Sequence, residues 1–471
     1  VVQEMTDAYQ PLARDIFSDP THDFNDDRIV VAGLGVFLPG AKDTDMFWEK
    51  LSSGEKQLSH LGKDHFDNDA YAAFPKDSIY HLPKVKAGVV KDFKFNNLKY
   101  RMPPTMVKSI ERAQIFGLEA ADQALSGSGL LSVDGGPVRT GVILGTIAGE
   151  RQSKNIIRVR KQVIANAVAA AQGVDKSRAK AVADDLLAVI RNTIPENNED
   201  TTPGLLSNII SGRIANHFGL NGANYVIDAS CASATIAIRN AARMIKHKDL
   251  DFVLAGGVDC NLYPAVLMAF KRLGLLSGTD GYFFDSRAEG YVMGEGAAVH
   301  VLTTLKKARE AGMEIYGEIH DCTVRSSVPD HLLAPSEHTF KSVINEAYQR
   351  SGIRKSDINH LDLFAFSNVF GDMIEQQVIQ ASFSHAMHCG NVKPQFGYFK
   401  AANPAVAVAK LMLMNRKGTI LPDFNYDASH STLNHSNVLK PAIRPGDRKP
   451  GQPLRFAANV NGIGGNHAHL I

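Results

Sequence analysis

One cysteine in this chain sits where a thiol can act as a nucleophile. Cys231 lies in the run Val-Ile-Asp-Ala-Ser-Cys-Ala-Ser-Ala from Val226 to Ala234. The apolar stretch Tyr225-Val226-Ile227 precedes it, and apolar residues recur at helical spacing from Thr235 to Ile245. The pattern predicts a strand, a sharp turn of small side chains, then a helix. Such a turn exposes the sulfur and points helix-start N–H groups at it, which favours thiolate. A thiolate so placed attacks a thioester carbonyl, and the cysteine's own N–H helps to hold the oxyanion. A buried structural cysteine is the alternative.

The elements that must position this turn are those of an ordinary globular protein. The 471 residues are 44% hydrophobic and carry a net charge of +2, enough for a large core and too balanced for nucleic acid or a membrane surface. The four cysteines, 231, 260, 322 and 389, have no metal-type spacing and point to a reducing, cytoplasmic setting. No apolar run is long enough to span a membrane, and the acidic, polar start is no signal peptide. The chain lacks an initiator Met and reads as a piece of a longer one.

Residues 1–27 read as an arm or linker. Arg28 to Gly33 predicts a first buried strand entering a Gly/Pro turn over 33–40. A dinucleotide-binding reading of Gly33-Leu34-Gly35 fails for want of a third glycine, since residue 38 is Leu. A single amphipathic helix is expected over 104–126, and an inserted helix pair over 151–194 with a cap at Asp175. Further buried strands fall at Val142–Gly145, Phe252–Gly257 and Ala297–Leu302. The second half repeats the style, with helices at 338–350, 371–383 and 401–415 and strands at 361–367, 418–422 and 454–460. Strands alternating with helices in both halves argue for a layered α/β protein.

Several stretches resemble the β-ketoacyl synthase (ketosynthase) branch of the thiolase superfamily from about Arg28 to Ile471. Asp228-Ala229-Ser230-Cys231-Ala232-Ser233 matches its nucleophile turn. Phe284-Asp285, followed by Ala288-Glu289-Gly290 and Gly294-Glu295-Gly296, matches a second signature. Gly257-Val258-Asp259 and Leu275-Leu276-Ser277 match landmarks between them, and Gly462 to His469 resembles the C-terminal glycine-rich loop. The loop region 74–103 and the run Pro103–Ala121 are similar to type I polyunsaturated fatty acid and polyketide synthases. The resemblance implies a thiolase fold, a duplicated βαβαβ core in five α-β-α-β-α layers. An N-terminal half spans 28–305, with a helical insertion about 151–200, and a C-terminal half spans 306–471. It implies a homodimer, or a heterodimer with another ketosynthase-like chain. No bound cofactor or metal is implied. Substrates ride on the phosphopantetheine of an acyl carrier protein. Glu295 is expected to brace the loops, Gly462, Gly464 and Gly465 to shape the site, and the backbone N–H groups of Cys231 and Asn461 to form the oxyanion hole.

The departures from the family pattern matter more than the match. A condensing ketosynthase pairs its cysteine with two histidines. Counting back from Gly371-Asp372 puts Phe364 at the first position. The second motif reads Lys393-Pro394-Gln395-Phe396-Gly397-Tyr398, so Tyr398 fills the second, while Lys393 is retained. The acid two residues beyond is replaced by Lys400. Asn461 stands where the family has a gating Phe, and His467 where it has Asn. Of the histidines able to substitute, His467 is better placed than His385 or His388, and His469 reads as structural. The expected function is acyl transfer through Cys231, with decarboxylative condensation impaired. The alternatives are a chain-length-factor-like partner of a true ketosynthase, and a condensing enzyme in which Tyr398 or His467 replaces histidine.

Overall fold

A computed structural model describes residues 27–471 apart from 64, 148, 150, 172–174, 195–196, 328–334, 423–425, 443–445 and 448–452. The arm expected over 1–27 therefore lies outside the described residues, except for Asp27. The elements that position the site are β1 (Ile29–Phe37), α1 (Arg112–Ser128), β2 (Thr140–Gly145), α2 (Arg151–Ala171), α3 (Lys176–Thr193), β3 (Asn224–Ile227), α4 (Ser233–Lys246), β4 (Phe252–Asp259), β5 (Gly296–Thr304) and β6 (Gly317–Ile319). They continue as β7 (Cys322–Ser326), α5 (Glu337–Ser351), β8 (His360–Asp362), α6 (Val369–Ser382), β9 (Met387–Gly390), α7 (Asn403–Lys417), β10 (Leu439–Pro441), β11 (Phe456–Gly462) and β12 (Asn466–Leu470).

Two six-stranded sheets result, in the orders β3-β2-β4-β5-β1-β6 and β7-β12-β11-β8-β9-β10. Each mixes parallel neighbours (β2 with β3 and β4; β8 with β9 and β11) with antiparallel ones. Helices α4 and α7 lie between the sheets, α1 covers the outer face of the first, and α5 and α6 cover the second. This is the five-layered α/β thiolase architecture. Sequence explains the middle layer. All twelve residues from Asn403 to Met414 on α7 are buried, and a helix that is apolar all round has no solvent face to show. Its one buried cation, Lys410, pairs with Asp362 at 2.7 Å.

Three expectations are corrected. β1 does not turn at Gly33 but runs on to Phe37, and the turn falls at Leu38–Ala41. The two glycines serve packing: a Cβ at Gly35 would lie 1.9 Å from the Ala120 carbonyl oxygen, and one at Gly33 would lie 2.5 Å from that of Ala124, both on α1. The helix expected over 104–126 is broken, because Ile110 and Glu111 are extended and the Glu111 N–H donates to the Gly204 carbonyl instead of continuing the helix. The strand expected over 361–367 stops at Asp362, for reasons that belong to the site. The helix pair α2–α3 is present, with Asp175 capping α3 by accepting from the N–H groups of Ser177 and Arg178. Its small interior is Ala165, Ala169, Ala183 and Leu187. No helix among the described residues is long and apolar enough to cross a membrane.

The end of β2 touches the start of α4 with no room to spare. A Cβ on Gly145 would lie 2.3 Å from the backbone nitrogen of Ala234. Gly145→Ala is expected to destabilise the fold by about 1–3 kcal/mol, through overpacking against main chain. Gly127→Ala, on α1 with nothing within 4 Å of the added carbon, is expected to stabilise by up to about 1 kcal/mol through helix propensity. Urea unfolding of the two variants checks the contrast.

Candidate active site

The nucleophile turn is held by its own small side chains. Ser230 adopts a left-handed backbone, φ +54°. Its N–H donates to the Asp228 carboxylate at 3.1 Å, while the Ser233 hydroxyl accepts from the Ala229 N–H at 2.9 Å and donates to the Ser230 carbonyl. α4 then starts at Ser233, two residues past Cys231. Cys231 is 4% exposed and lines a cavity of about 530 Å³, counting the solvent at its mouth.

A second loop, Leu363 to Asn368, faces it across the cavity, and it explains why β8 ends early. Ala365 and Ser367 have φ of +53° and +54°, which a strand cannot contain. Two carboxylates on α6 hold this shape. Glu375 accepts from the N–H groups of Phe364 and Ala365 at 2.9 and 2.8 Å, and Asp372 accepts from those of Phe366, Ser367 and Phe284. Burial raises both carboxyls above their usual range, that of Asp372 to about 7. Lys393 sits between them, 1% exposed, with its ammonium donating to the Ala365 carbonyl at 3.0 Å and 4.3 Å from the Phe364 ring centre. Burial brings Lys393 down to about 8, against the pull of Glu375, Asp362 and Asp372. Phe364 and Phe366 both line the cavity, while Lys393 lies behind them.

Tyr398 also lines the cavity, stacked on Tyr291 with ring centres 4.3 Å apart. Burial raises both phenols well above their usual range, with the neighbouring Cys231 adding to the effect, so both remain protonated donors. The Tyr398 hydroxyl lies beside the Cys231 sulfur, and no other acceptor among the described residues meets it. Two residues on, Lys400 is 2% exposed and pairs with the fully buried Asp259 at 3.0 Å, also donating to the Gly294 carbonyl. The reversed charge at this position thus has its own buried counter-ion.

The glycine-rich loop closes the third side. Gly464 and Gly465 have φ of +94° and +83°, and Gly462 packs against the cysteine turn, where a Cβ would lie 3.1 Å from the Ala229 carbonyl oxygen. Asn461 and His467 face each other across β11 and β12. The His467 ring bonds to the Asn461 carboxamide oxygen through Nδ1 and accepts from the Ser336 N–H through Nε2. Burial lowers it to about 4, so it is neutral. His467 lines the cavity, but both its nitrogens are taken. His469 is fully buried between Asn459 and the Tyr348 hydroxyl. His385 bonds the Ile358 carbonyl and His388 pairs in β9 with His360, so neither lines the cavity. Glu295, fully buried, accepts from Arg112 and from the Val90 N–H and lies 3.6 Å from His65. Burial opposes its ionisation, but these partners hold its carboxyl below the usual range. Burial raises the Cys260 and Cys322 thiols, Cys322 to about 12, and Cys389 is fully buried.

Cys231, Phe364, Tyr398, Asn461 and His467 are therefore brought to one cavity, with Lys393 behind it and Glu295 in the loops beside it. Sequence reasoning gave no role to Tyr291, Phe366 or Ile463, which share the lining. Tyr291 stands between the two halves of the second signature and Ile463 inside the glycine loop, but nothing in their types marks them as facing a sulfur.

The model of the β-ketoacyl synthase N-terminal domain matches residues 26–308, and that of the C-terminal domain matches 316–427. The chain belongs to the β-ketoacyl synthase family. This ketosynthase is 25% identical over 466 residues to a polyunsaturated fatty acid synthase polypeptide of Thraustochytrium, covering 95% of the chain and 16% of that protein. It is 25% identical over 474 residues to the polyketide synthase PksN of Bacillus subtilis, covering 95% of the chain and 8% of PksN. The chain thus spans under a fifth of these relatives. An oxazolomycin ketosynthase domain from Streptomyces albus superposes with a TM-score of 0.79 at 21% identity, covering 94% of the chain and 74% of that domain. A ketosynthase of the Bacillus subtilis bacillaene synthase gives 0.76 at 21%, covering 94% and 71%. Both carry the fold.

Position 400, where the family pattern predicts an acid, holds a lysine paired with buried Asp259. Lys400→Glu would set two carboxylates against each other without solvent. It is expected to destabilise the fold by about 3–5 kcal/mol, the cost of stranding a buried charge. Thermal unfolding beside the unchanged protein checks it.

Proposed function

We propose that this ketosynthase moves acyl groups and condenses them poorly. Cys231 takes an acyl chain from the phosphopantetheine thioester of an acyl carrier protein and passes it to a second acceptor. The observation that supports the reading is the make-up of the Cys231 cavity: Phe364 and Tyr398 line it, and both stand at the positions that the family motifs assign to imidazole donors. His467, the one imidazole in the lining among the described residues, is neutral with both nitrogens engaged.

Acyl transfer needs a thiolate and an oxyanion hole. The Cys231 sulfur adds to the thioester carbonyl carbon, and the carbonyl electrons move onto oxygen. The backbone N–H groups of Cys231 and Asn461 are the donors for that oxyanion. Collapse re-forms the carbonyl, breaks the old C–S bond and releases the phosphopantetheine thiolate, which takes the proton that Cys231 gave up. The acceptor's nucleophile then repeats the sequence on the Cys231 thioester and frees the sulfur. No step requires a histidine. Lys393 and Glu295 act on the scaffold: the first anchors the loop bearing Phe364 through the Ala365 carbonyl, and the second ties Val90 to Arg112.

Decarboxylating a malonyl thioester is a different demand, because charge builds on the thioester oxygen and must be met by donors. Losing one such donor raises a barrier by roughly 2.7–4 kcal/mol. Tyr398 offers one hydroxyl, and Phe364 offers nothing.

The protein is further proposed to dimerise through β3. That strand is an edge of the first sheet, paired with β2 alone among the described residues, and its Tyr225, Val226 and Ile227 are only half-buried. An open apolar edge invites pairing with another strand. Light scattering at micromolar concentration is expected to return a dimer mass, and a monomer would refute this. A stable 1:1 complex with a second ketosynthase-like chain would favour the partner reading.

The two half-reactions are expected to separate. Incubated with acyl- and malonyl-carrier proteins, the enzyme should show the acyl mass on Cys231 by intact-mass and peptide mapping. Little carbon dioxide or β-ketoacyl product should appear. Rapid condensation by the unchanged protein would overturn the reading, and acylation at Cys260, Cys322 or Cys389 instead of Cys231 would remove it.

A further inference from the structure

The Cys231 cavity contains two donors that meet no oxygen or nitrogen acceptor among the described residues; the first has only the Cys231 sulfur beside it. One is the Tyr398 hydroxyl, the other the carboxamide nitrogen of Asn461. Each is buried with no hydrogen-bond partner at ordinary geometry among the described residues, and both residues line the cavity. A buried polar atom left unmade costs about 1–3 kcal/mol, so two in one apolar cavity mark a place where a ligand completes the bonding.

The Asn461 amide is held in one orientation. The Ser336 N–H donates to Nε2 of His467, which makes that nitrogen the acceptor and puts the ring proton on Nδ1. Nδ1 must then donate to the Asn461 oxygen. The Asn461 nitrogen, which can only donate, is what remains for the cavity. His467 is thus a positioning residue, and the two unusual side chains of β11 and β12 act together. Phe364, Phe366, Phe270 and Leu275 supply the apolar wall around them.

We infer that Tyr398 and Asn461 form a two-donor subsite for an oxygen atom on the acyl chain, so that the preferred substrates are 3-oxoacyl or 3-hydroxyacyl thioesters. This rests on the proposed acyl transfer, in which backbone N–H groups take the thioester oxygen and leave the side-chain donors for a second one. Tyr398 lies beside the sulfur that becomes acylated, so it reaches the first carbons of the chain and not its far end. A saturated chain of the same length fills the apolar wall but leaves both donors unmade.

The test compares the rates at which Cys231 is loaded by the pantetheine thioesters of butyrate, 3-hydroxybutyrate and 3-oxobutyrate, read by intact mass. The unchanged enzyme should load the oxygenated pair about tenfold faster or more, one or two kcal/mol of hydrogen bonding. Asn461→Leu should bring that ratio close to one. His467→Phe, which frees the amide to rotate, should also lower the ratio, an effect that general loosening of the fold would not produce. Equal rates in the unchanged enzyme overturn the subsite and leave acyl transfer standing. A ratio that survives both substitutions overturns the role of Asn461 and His467. Failure of all three thioesters to load overturns acyl transfer, and the subsite with it. The comparison within the unchanged enzyme holds even where a variant does not fold.

Discussion

Two carboxylates taken out of water, Asp372 and Glu375, hold the site together. Between them they bind four successive main-chain N–H groups, from Phe364 to Ser367, and so fix a loop containing two left-handed residues. Asp372 reaches across to Phe284 and Glu375 to Asn459, so the Phe284–Asp285 signature and β11 hang from the same pair. Two buried acids repel each other and resist ionisation. Lys393 offsets both effects, and its own cost of burial is met by the aromatic faces of Phe364 and Tyr398 and by the Ala365 carbonyl. Phe364, which offers the cavity no hydrogen-bond donor, is at the same time a wall for the cation behind it.

The same logic applies at Lys400. In a buried site a change of sign survives only with a partner, because an unpaired charge costs several kcal/mol. Asp259 supplies it. Buried side chains around the site therefore come in pairs: Lys400 with Asp259, Asn461 with His467, and Phe364 with Lys393.

Much of this was legible in the chain, and the reasons for what was not are local. The strand, turn and helix around Cys231 could be read because small residues and apolar periodicity both point to them. α7 was legible as a helix because its apolar run is long. The glycines of β1 misled, since a glycine needed for close approach of α1 looks the same in sequence as one needed for a turn. The break before α1 depends on a hydrogen bond to Gly204, more than ninety residues away, and no local pattern records it. The end of β8 was missed because Asp372 and Glu375 act through space on a loop whose residues, Leu-Phe-Ala-Phe, read as strand. In the site, motif position pointed to Phe364 and Tyr398, and both line the Cys231 cavity. The bond from Asn461 to His467 needed the register of β11 against β12, which sequence does not state.

The loop facing Cys231 is secured by its peptide groups, and the side chain at its tip contributes nothing to those bonds. A substitution at residue 364 therefore leaves the loop's main-chain hydrogen bonds intact while changing what the cavity can catalyse. In such a fold, chemical identity and architecture are inherited separately. Side chains at the cavity wall can therefore change over descent while the loop's backbone anchoring stays as it is.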